Sequence, residues 1–281
     1  MKLSNYFVVL DKNSKEILEE FMKKTMQIKL SNGKITVAKV LDDGTCELIV
    51  EVADVESTSE VKISDDTFVL IKASELSLDD EFMKFNSQDK RIKRVKELLT
   101  KVIKKGVKDF YRPRLDPSFT EGENGICFVA GKKPALGKSY TWWETSAKAF
   151  NKKCRIGTKS EYIAFLGVLI KTLVAEGWDL ADAWDAVCND SELLGHYYNS
   201  NNAKHDFEST GSREVFGFYD LANTCKILSD DEGNGGFWLA GGCSGNISNR
   251  CPLADLCHFN DRNYDDDFSV GWLVLESSTA H

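Results

Sequence analysis

Eight cysteines and four histidines are the residues of this 281-residue chain with the clearest capacity for metal or redox chemistry. No two cysteines form a CxxC pair, and the histidines are too dispersed to share a metal centre. A tetrahedral zinc site usually draws on closely spaced ligand pairs, so this spacing argues against structural zinc. We expect most of the thiols to be buried and unreactive. The cysteines are Cys46, Cys127, Cys154, Cys188, Cys225, Cys243, Cys251 and Cys257.

Three consecutive aspartates, Asp265 to Asp267, are the other candidate for metal binding. Carboxylates on an irregular loop suit a hard cation such as Ca²⁺. Calcium ligands usually alternate with other residues along the chain, so a solvated acidic turn is the favoured interpretation. We therefore expect neither a cofactor nor a metal, with calcium as the alternative.

The composition, with 42% hydrophobic and 28% charged residues, is typical of a globular protein with a substantial core. The formal net charge of −8 argues against a general nucleic-acid-binding protein. The one basic run, residues 89–110, predicts the solvated face of a helix, and an arm for nucleic acid or an acidic membrane is the alternative. The sequence shows neither a signal peptide nor a membrane span. We expect synthesis in the cytosol, and display on a virus particle or a cell surface is compatible with this expectation.

Hydrophobic patterning divides the chain into three segments. Residues 1–76 predict a small β-rich module with one helix, since Asn32-Gly33 and Asp43-Gly44 are strong hairpin signals between alternating apolar residues. Residues 77–117 predict a charged amphipathic helix, beginning near an acidic N-terminal turn, and a linker. Residues 118–281 predict one mixed α/β domain that contains all six tryptophans.

Three stretches of this last segment carry residues in a recognisable order. The first, WWETSAKAFNKKCRIGTKSEYIAF, holds Trp143, Ala147, Phe150, Arg155, Thr158, Glu161 and Tyr162. The second, FGFYDLANTCKILSDD, holds Gly217, Tyr219, Asp220, Ala222 and Asn223. The third runs from GGFWLAGG to VGWLV and includes Gly241, Gly242, Gly271 and Trp272.

In this order the stretches resemble the formylglycine-generating-enzyme branch of the C-type-lectin fold. The chain departs from that pattern where Ile156-Gly157 replaces Leu-Pro, and residues 225–228 differ from the usual Trp-Glu-Trp ending. Trp272 stands where Phe is usual. The resemblance implies an α+β protein whose residues 118–281 form a C-type-lectin-like domain, preceded by the β-rich module and the long helix.

The enzymes of this branch use two cysteines spaced five apart, shortly after the Gly-Gly pair. Counted from Gly242, the first position is occupied by Asn246 and only the second holds a thiol, Cys251. A nucleophilic thiolate also favours an electropositive setting, but residues 241–271 contain five Asp and two Arg. The resemblance therefore favours a binding protein over an enzyme, with a formylglycine-generating-type oxidase as the alternative.

The window from Leu239 to Gly271 is unusual for the residue types that it lacks. Lys, Glu, Gln, Met and Trp make up 60 of the 281 residues, yet none occurs in these 33 positions. About seven would be expected, and chance absence has a probability on the order of 4 in 10,000. The fifteen other types are those encoded by codons ending in a pyrimidine, and fourteen of them occur in the window, Thr alone being absent.

This restricted alphabet resembles the variable region of the target proteins of diversity-generating retroelements, in which randomised adenines produce such codons. Those proteins place the variable region between the Gly-Gly and the final Gly-Phe-Arg of the same lectin-fold branch. The resemblance implies a variable region at about residues 239–272 that binds a protein or glycan on a cell surface. It implies no nucleic-acid partner and no membrane insertion, and a homo-oligomer is compatible with it.

Polarity and position within the window predict which side chains contact the ligand. Gly241, Gly242, Gly271 and Trp272 are predicted to be scaffold residues. The predicted contact residues are Cys243, Ser244, Asn246, Ser248, Asn249, Arg250, Asp255, His258, Asn260, Asp261, Asn263 and Tyr264.

Overall fold

The structure is a computed structural model, and its chain divides into two compact units, Met1–Glu60 and Val61–His281. In the first unit it describes residues 25–31, 34–40 and 46–52. In the second unit it describes residues 67–120, 125–189, 214–219, 221, 224–233, 235–241, 253–263 and 269–277.

The described part of the first unit is a three-stranded antiparallel sheet in the order β1-β2-β3. Ser31 pairs directly with Lys34, so the hairpin predicted at Asn32-Gly33 is confirmed. The helix predicted over residues 14–25 lies outside the described residues, apart from Thr25 in β1. The strands are β1 (Thr25–Ser31), β2 (Lys34–Val40) and β3 (Cys46–Val52).

The second unit mixes helices with short strands, so the predicted α+β class is confirmed. Its described α-helices are α1 (Lys90–Lys105), α2 (Tyr140–Phe150), α3 (Lys159–Ala175) and α4 (Leu180–Cys188). Short 3-10 turns precede α1 at Ala73–Glu75 and Glu81–Lys84.

Two four-stranded sheets organise this unit. One has the order β4-β5-β15-β8, with β4 (Phe68–Ile71), β5 (Phe110–Pro113), β8 (Cys154–Ile156) and β15 (Leu273–Glu276). The other has the order β13-β12-β11-β14, with β11 (Cys225–Ser229), β12 (Phe237–Ala240), β13 (Leu256–Phe259) and β14 (Ser269–Gly271). The remaining strands form two small pairs: β6 (Ser118–Phe119) with β7 (Ile126–Cys127), and β9 (Glu214–Val215) with β10 (Phe218–Tyr219).

The long helix starts later than its sequence predicts. We expected it to begin near Ser77, but α1 begins at Lys90, after Asp89. The Asp89 carboxylate accepts hydrogen bonds from the N–H groups of Arg91 and Ile92, and these bonds lower the pKa of Asp89. A side-chain cap of this kind fixes the first turn, whereas the acidic residues near Ser77 form only short turns.

The predicted division at residues 76 and 117 differs from the units of the structure. Strand β4 pairs with β5 along Phe68↔Pro113 to Ile71↔Phe110, so residues 68–71 belong to the second unit. Helix α1 buries Ile92, Val95, Leu99 and Val102 in the same apolar cluster as α3 and α4, so it is part of this core rather than a connector. The helix and linker predicted over residues 77–117 therefore lie inside the second unit.

Two apolar clusters cover opposite faces of the sheet that contains β11 and β12. Leu228 and Ala240 enter the cluster formed with α1, α3 and α4, whereas Ile227 and Phe237 enter the cluster around α2. Alternate residues of a strand point to opposite faces, so these strands are covered by packing on both sides. In the described residues, no helix is long and apolar enough to cross a membrane.

Candidate ligand-binding hairpin

The structure describes part of the restricted window. The described part comprises strands of a hairpin and the two ends of the window. Residues 239–241, 253–263 and 269–272 have defined positions. Five predicted contact residues are among them: Asp255, His258, Asn260, Asp261 and Asn263. The other seven lie outside the described residues, and so does Gly242: Cys243, Ser244, Asn246, Ser248, Asn249, Arg250 and Tyr264.

Strands β12 and β13 form the hairpin, and β13 is the outer strand of its sheet. The antiparallel register pairs Phe237 with Phe259 and Leu239 with Cys257 on one face, and Trp238 with His258 on the other. Phe237 is fully buried and stacks on the half-buried Phe259, with ring centroids 5.5 Å apart. Strand β12, at the start of the window, is thus mostly covered by packing. Strand β13, inside the window, carries the exposed side chain of this pair.

The exposed residues follow one another from β13 into the next turn. Cys257 is exposed, and so are the four residues Asn260 to Asn263. The Asp261 carboxylate accepts a hydrogen bond from the Asn263 N–H at 2.9 Å, which closes the turn. The four residues of this turn are polar or charged and exposed.

The turn rests on the first residues of α2. The Thr141 hydroxyl donates to the Arg262 carbonyl at 3.5 Å and lies 3.4 Å from the Asn263 side-chain oxygen. The Arg262 guanidinium lies 4.9 Å from the centroid of the Tyr140 ring, within the range of a cation–π contact. A residue outside the window therefore supports the backbone of the exposed turn.

His258 and Trp238 form the inner end of the hairpin. Their ring centroids are 4.9 Å apart, and the His258 Nε2 lies 2.8 Å from the Gly235 carbonyl oxygen. The Lys159 ammonium lies 3.9 Å from the Trp238 ring centroid and 2.9 Å from a Glu232 carboxylate oxygen. His258, a predicted contact residue, is half-buried and held by these partners.

Asp255 differs from the exposed residues because it is half-buried beside α1. Its carboxylate lies 3.5 Å from the Arg91 guanidinium, an ion pair whose two side chains are both partly exposed. Burial raises the pKa of Asp255, although Arg91 and Arg94 act in the opposite direction. Partly exposed pairs of this kind contribute little to stability. The Asp255 side chain thus contacts α1 and is only partly exposed to solvent.

The ends of the window are held by buried tryptophans. Gly271 lies against Trp143, so that a Cβ at this position would come within 2.6 Å of the Trp143 ring. Trp272, only 2% exposed, packs edge-on against Phe110 and Tyr162. Gly241, Gly271 and Trp272 are all buried, as expected of scaffold residues.

The first of the three sequence stretches builds the support for these ends. Thr158 caps α3 in a capping box with Glu161, and Arg155 binds the Glu161 carboxylate with two hydrogen bonds of 2.8 and 2.6 Å. The buried Tyr162 hydroxyl donates to the Leu253 carbonyl at 2.9 Å, which fixes a point inside the window. Burial raises the pKa of Tyr162, so it stays a hydrogen-bond donor at neutral pH.

Cys154 and Cys188, two of the described thiols of the second unit, are buried. Burial raises the pKa of Cys154 to about 12 and also raises the pKa of Cys188, which keeps both thiols protonated at neutral pH. Cys251, at the position of the second enzyme cysteine, lies outside the described residues. Within the ranges that the structure describes, no group of three or more His, Cys, Asp or Glu is placed to hold a metal ion.

Sequence reasoning missed four contributors to the hairpin surface. Cys257 was not among the predicted contact residues, but it is exposed on the outer strand. Arg262 was omitted from the contact residues, although its neighbours on both sides were included. Trp238 and Lys159 lie outside the window: the cross-strand register links Trp238 to His258, and Lys159 contacts the Trp238 ring. For Cys257 and Arg262, the alternation of residues along β13 and the polarity of the turn were usable signals.

No protein-family model, curated protein or solved structure matches this chain. The function is therefore inferred from the residues and geometry described above.

Proposed function

We propose that this chain is a ligand-recognition protein diversified by a retroelement. In this proposal the second unit has a C-type-lectin-like fold of the formylglycine-generating-enzyme type, and residues 239–272 form its variable region. The ligand is a protein or glycan on a cell surface. The observation that carries the proposal is the absence of Lys, Glu, Gln, Met and Trp from Leu239 to Gly271.

The division between fixed and exposed positions supports this proposal. A surface whose residues are randomised must not include core residues. Point mutations lower the free energy of unfolding by about 1 kcal/mol on average, and most core substitutions lower it by at least that much. Here Leu239 and Ala240 lie in β12 and Ser269 to Gly271 lie in β14. Gly271 lies against Trp143, and Trp272 packs on Tyr162. The exposed turn Asn260–Asn263 lies between these two strands in the sequence.

The chemistry of the exposed residues also supports recognition. Asn, Asp, Arg and Cys side chains at Cys257 and Asn260 to Asn263 are short or adaptable groups that form hydrogen bonds and ion pairs. Small polar residues presented on a rigid scaffold are typical of antibody-type binding surfaces. The long flexible charges of Lys and Glu, which are depleted at interface cores, are absent from the window.

Sequencing the DNA that flanks the coding region tests the diversification directly. We expect a reverse-transcriptase gene and a near-copy of the 3′ end of the coding sequence, with differences confined to adenines of the copy. Differences spread evenly over all four bases, or the absence of any such copy, would remove the basis of the proposal.

A pair of libraries tests the binding surface. In one, Cys257, Asn260, Asp261, Arg262 and Asn263 are randomised with pyrimidine-ending codons. In the control, the same codons randomise five exposed positions of α1 and α2: Lys93, Arg94, Glu97, Thr145 and Lys148. Both libraries should keep melting temperatures within a few °C of the parent, because surface substitutions usually change stability by less than about 0.5 kcal/mol.

Selection against whole bacterial cells then separates the two libraries. From the hairpin library we expect clones that bind the cells about tenfold or more tightly than the parent does. The control library should yield at least tenfold fewer clones of this kind. Equal recovery from both libraries would show that the hairpin is not a privileged binding surface.

A further inference from the structure

We propose that a cleft between α1 and α3 is a constant binding site for a ring-sized organic carboxylate. The cleft has a volume of about 170 Å³. Its floor consists of Leu98, Val102 and Ile163, and its rim carries three lysines, a serine and one carboxylate: Lys101, Lys105, Lys159, Ser160 and Glu232. All eight residues lie outside the restricted window, so this site goes beyond the variable surface and does not depend on it.

The size and floor of the cleft suit a six-membered ring. A cavity of about 150 Å³ lined by apolar side chains is large enough to hold benzene. The floor is formed by side chains of both helices, of which Val102 and Ile163 are buried and Leu98 is half-buried. Burial of one ring face on such a floor contributes roughly 25 cal/mol for each Å² of apolar area removed from water.

The charges at the rim favour an anion. Lys101 is exposed and has no ion pair among the residues that the structure describes. Lys105 lies 3.3 Å from the Asp231 carboxylate, and the lysine side chain is 62% exposed whereas the aspartate side chain is 16% exposed. A ligand carboxylate between Lys101 and Lys105 would gain two charge-assisted contacts, and it would share Lys105 with Asp231.

Lys159 is the fixed element of the rim. Its side chain is 9% exposed, paired with Glu232 and stacked on the Trp238 ring. The Glu232 side chain is 50% exposed, so it can turn towards solvent when an anionic ligand enters. Trp238, which contacts Lys159, also contacts His258 of the hairpin.

Titration with four small molecules tests this site on the full-length chain. The probes are sodium benzoate and sodium glucuronate, with benzyl alcohol and glucose as their neutral counterparts, followed by two-dimensional NMR of the ¹⁵N-labelled protein. We expect saturable shifts of the Lys101 and Ser160 amides for at least one acid, with a Kd on the order of 1 mM. Benzoate alone would indicate an aromatic acid, and glucuronate alone a sugar acid.

Two double variants identify the residues that hold the carboxylate. Lys101→Ala/Lys105→Ala should weaken binding of the acid by about tenfold, whereas Lys90→Ala/Lys93→Ala, on the first turn of the same helix, should leave it unchanged. Each removes two exposed lysines, so both should keep the parental melting temperature. The proposal is overturned if neither acid binds, if the neutral compounds bind equally well, or if the two variants weaken binding to the same extent. None of these outcomes bears on the diversified window.

Discussion

Substitution of Gly157 by alanine is expected to destabilise the second unit by about 3 kcal/mol, an unusually large effect for one added methyl group. The new Cβ would overlap the Trp272 ring and would lie 2.9 Å from the Val274 side chain. The backbone has little freedom to move away. The Gly157 N–H donates to the Trp272 carbonyl at 2.8 Å, and the Gly157 carbonyl accepts from Ser229 at 2.9 Å.

Urea denaturation followed by tryptophan fluorescence measures this effect selectively, because all six tryptophans lie in the second unit. A matched control is Gly125→Ala, whose Cβ would meet nothing closer than the Thr120 side chain at 3.4 Å. We expect the control to change the free energy of unfolding by less than about 0.5 kcal/mol. Equal losses for the two variants would contradict the proposed overlap with Trp272.

The same contact gives a physical account of two departures from the family pattern that the sequence resembles. That pattern has Pro at position 157 and Phe at position 272, where this chain has Gly and Trp. The ring atoms that approach Gly157 are Cε3 and Cζ3 of the six-membered ring of Trp272. A larger ring and a missing side chain therefore compensate each other. Trp272→Phe in the Gly157→Ala background should recover about 1 kcal/mol or more, as expected of contacting residues.

The order and type of the helices in the second unit were predictable from sequence, because their apolar residues recur at helical spacing. Leu180, Trp184 and Val187 illustrate this, since they lie on one face of α4. The start of α1 was not predictable from composition, since the acidic residues near Ser77 and the cap at Asp89 are both plausible helix starts. Only the hydrogen bonds of Asp89 distinguish the two.

The features of the candidate site that depend only on position in the sequence were predictable. The window and its buried ends follow from residue types, and Asn260, Asp261 and Asn263 are exposed as predicted. The partial burial of Asp255 was not predictable, because it depends on Arg91 of a helix more than 160 residues away in sequence. The same holds for Lys159, which reaches the hairpin only through the fold of β12. Long-range packing of this kind leaves no local pattern.

The second large effect on stability concerns a buried ion pair that no sequence pattern predicts. The Lys226 ammonium contacts both oxygens of the Asp116 carboxylate, one of them at 2.7 Å, and it also lies 2.8 Å from the Thr224 hydroxyl. Lys226 and Asp116 are 1% and 3% exposed. Lys226 sits in β11, where its backbone pairs with Ala240 and Val270 at the two ends of the window.

Lys226→Met should therefore destabilise the second unit by about 3–5 kcal/mol, because it leaves the Asp116 carboxylate buried without its cation. The double variant Lys226→Met/Asp116→Asn removes both charges, and the amide can still accept the hydrogen bond that the Thr224 hydroxyl donates. It should regain about 2 kcal/mol relative to the single variant. In the exposed pair Lys72–Glu75, Lys72→Met should leave the melting temperature within about 1 °C of the parent.

The stability of the double variant decides what the pair contributes. If it is as unstable as Lys226→Met, the lysine stabilises β11 through contacts other than its charge, and an uncompensated Asp116 is not the cause. If the free energy of unfolding of the double variant approaches that of the parent, the ion pair adds little net stability. Its main effect is then to determine which side chains pack next to the ends of the window. Measuring the exchange of the Ala240 and Val270 amides in both variants tests that distinction. We expect the fastest exchange in the single variant and a rate between it and the parent in the double variant, because β11 pairs with the strands at both ends of the restricted window.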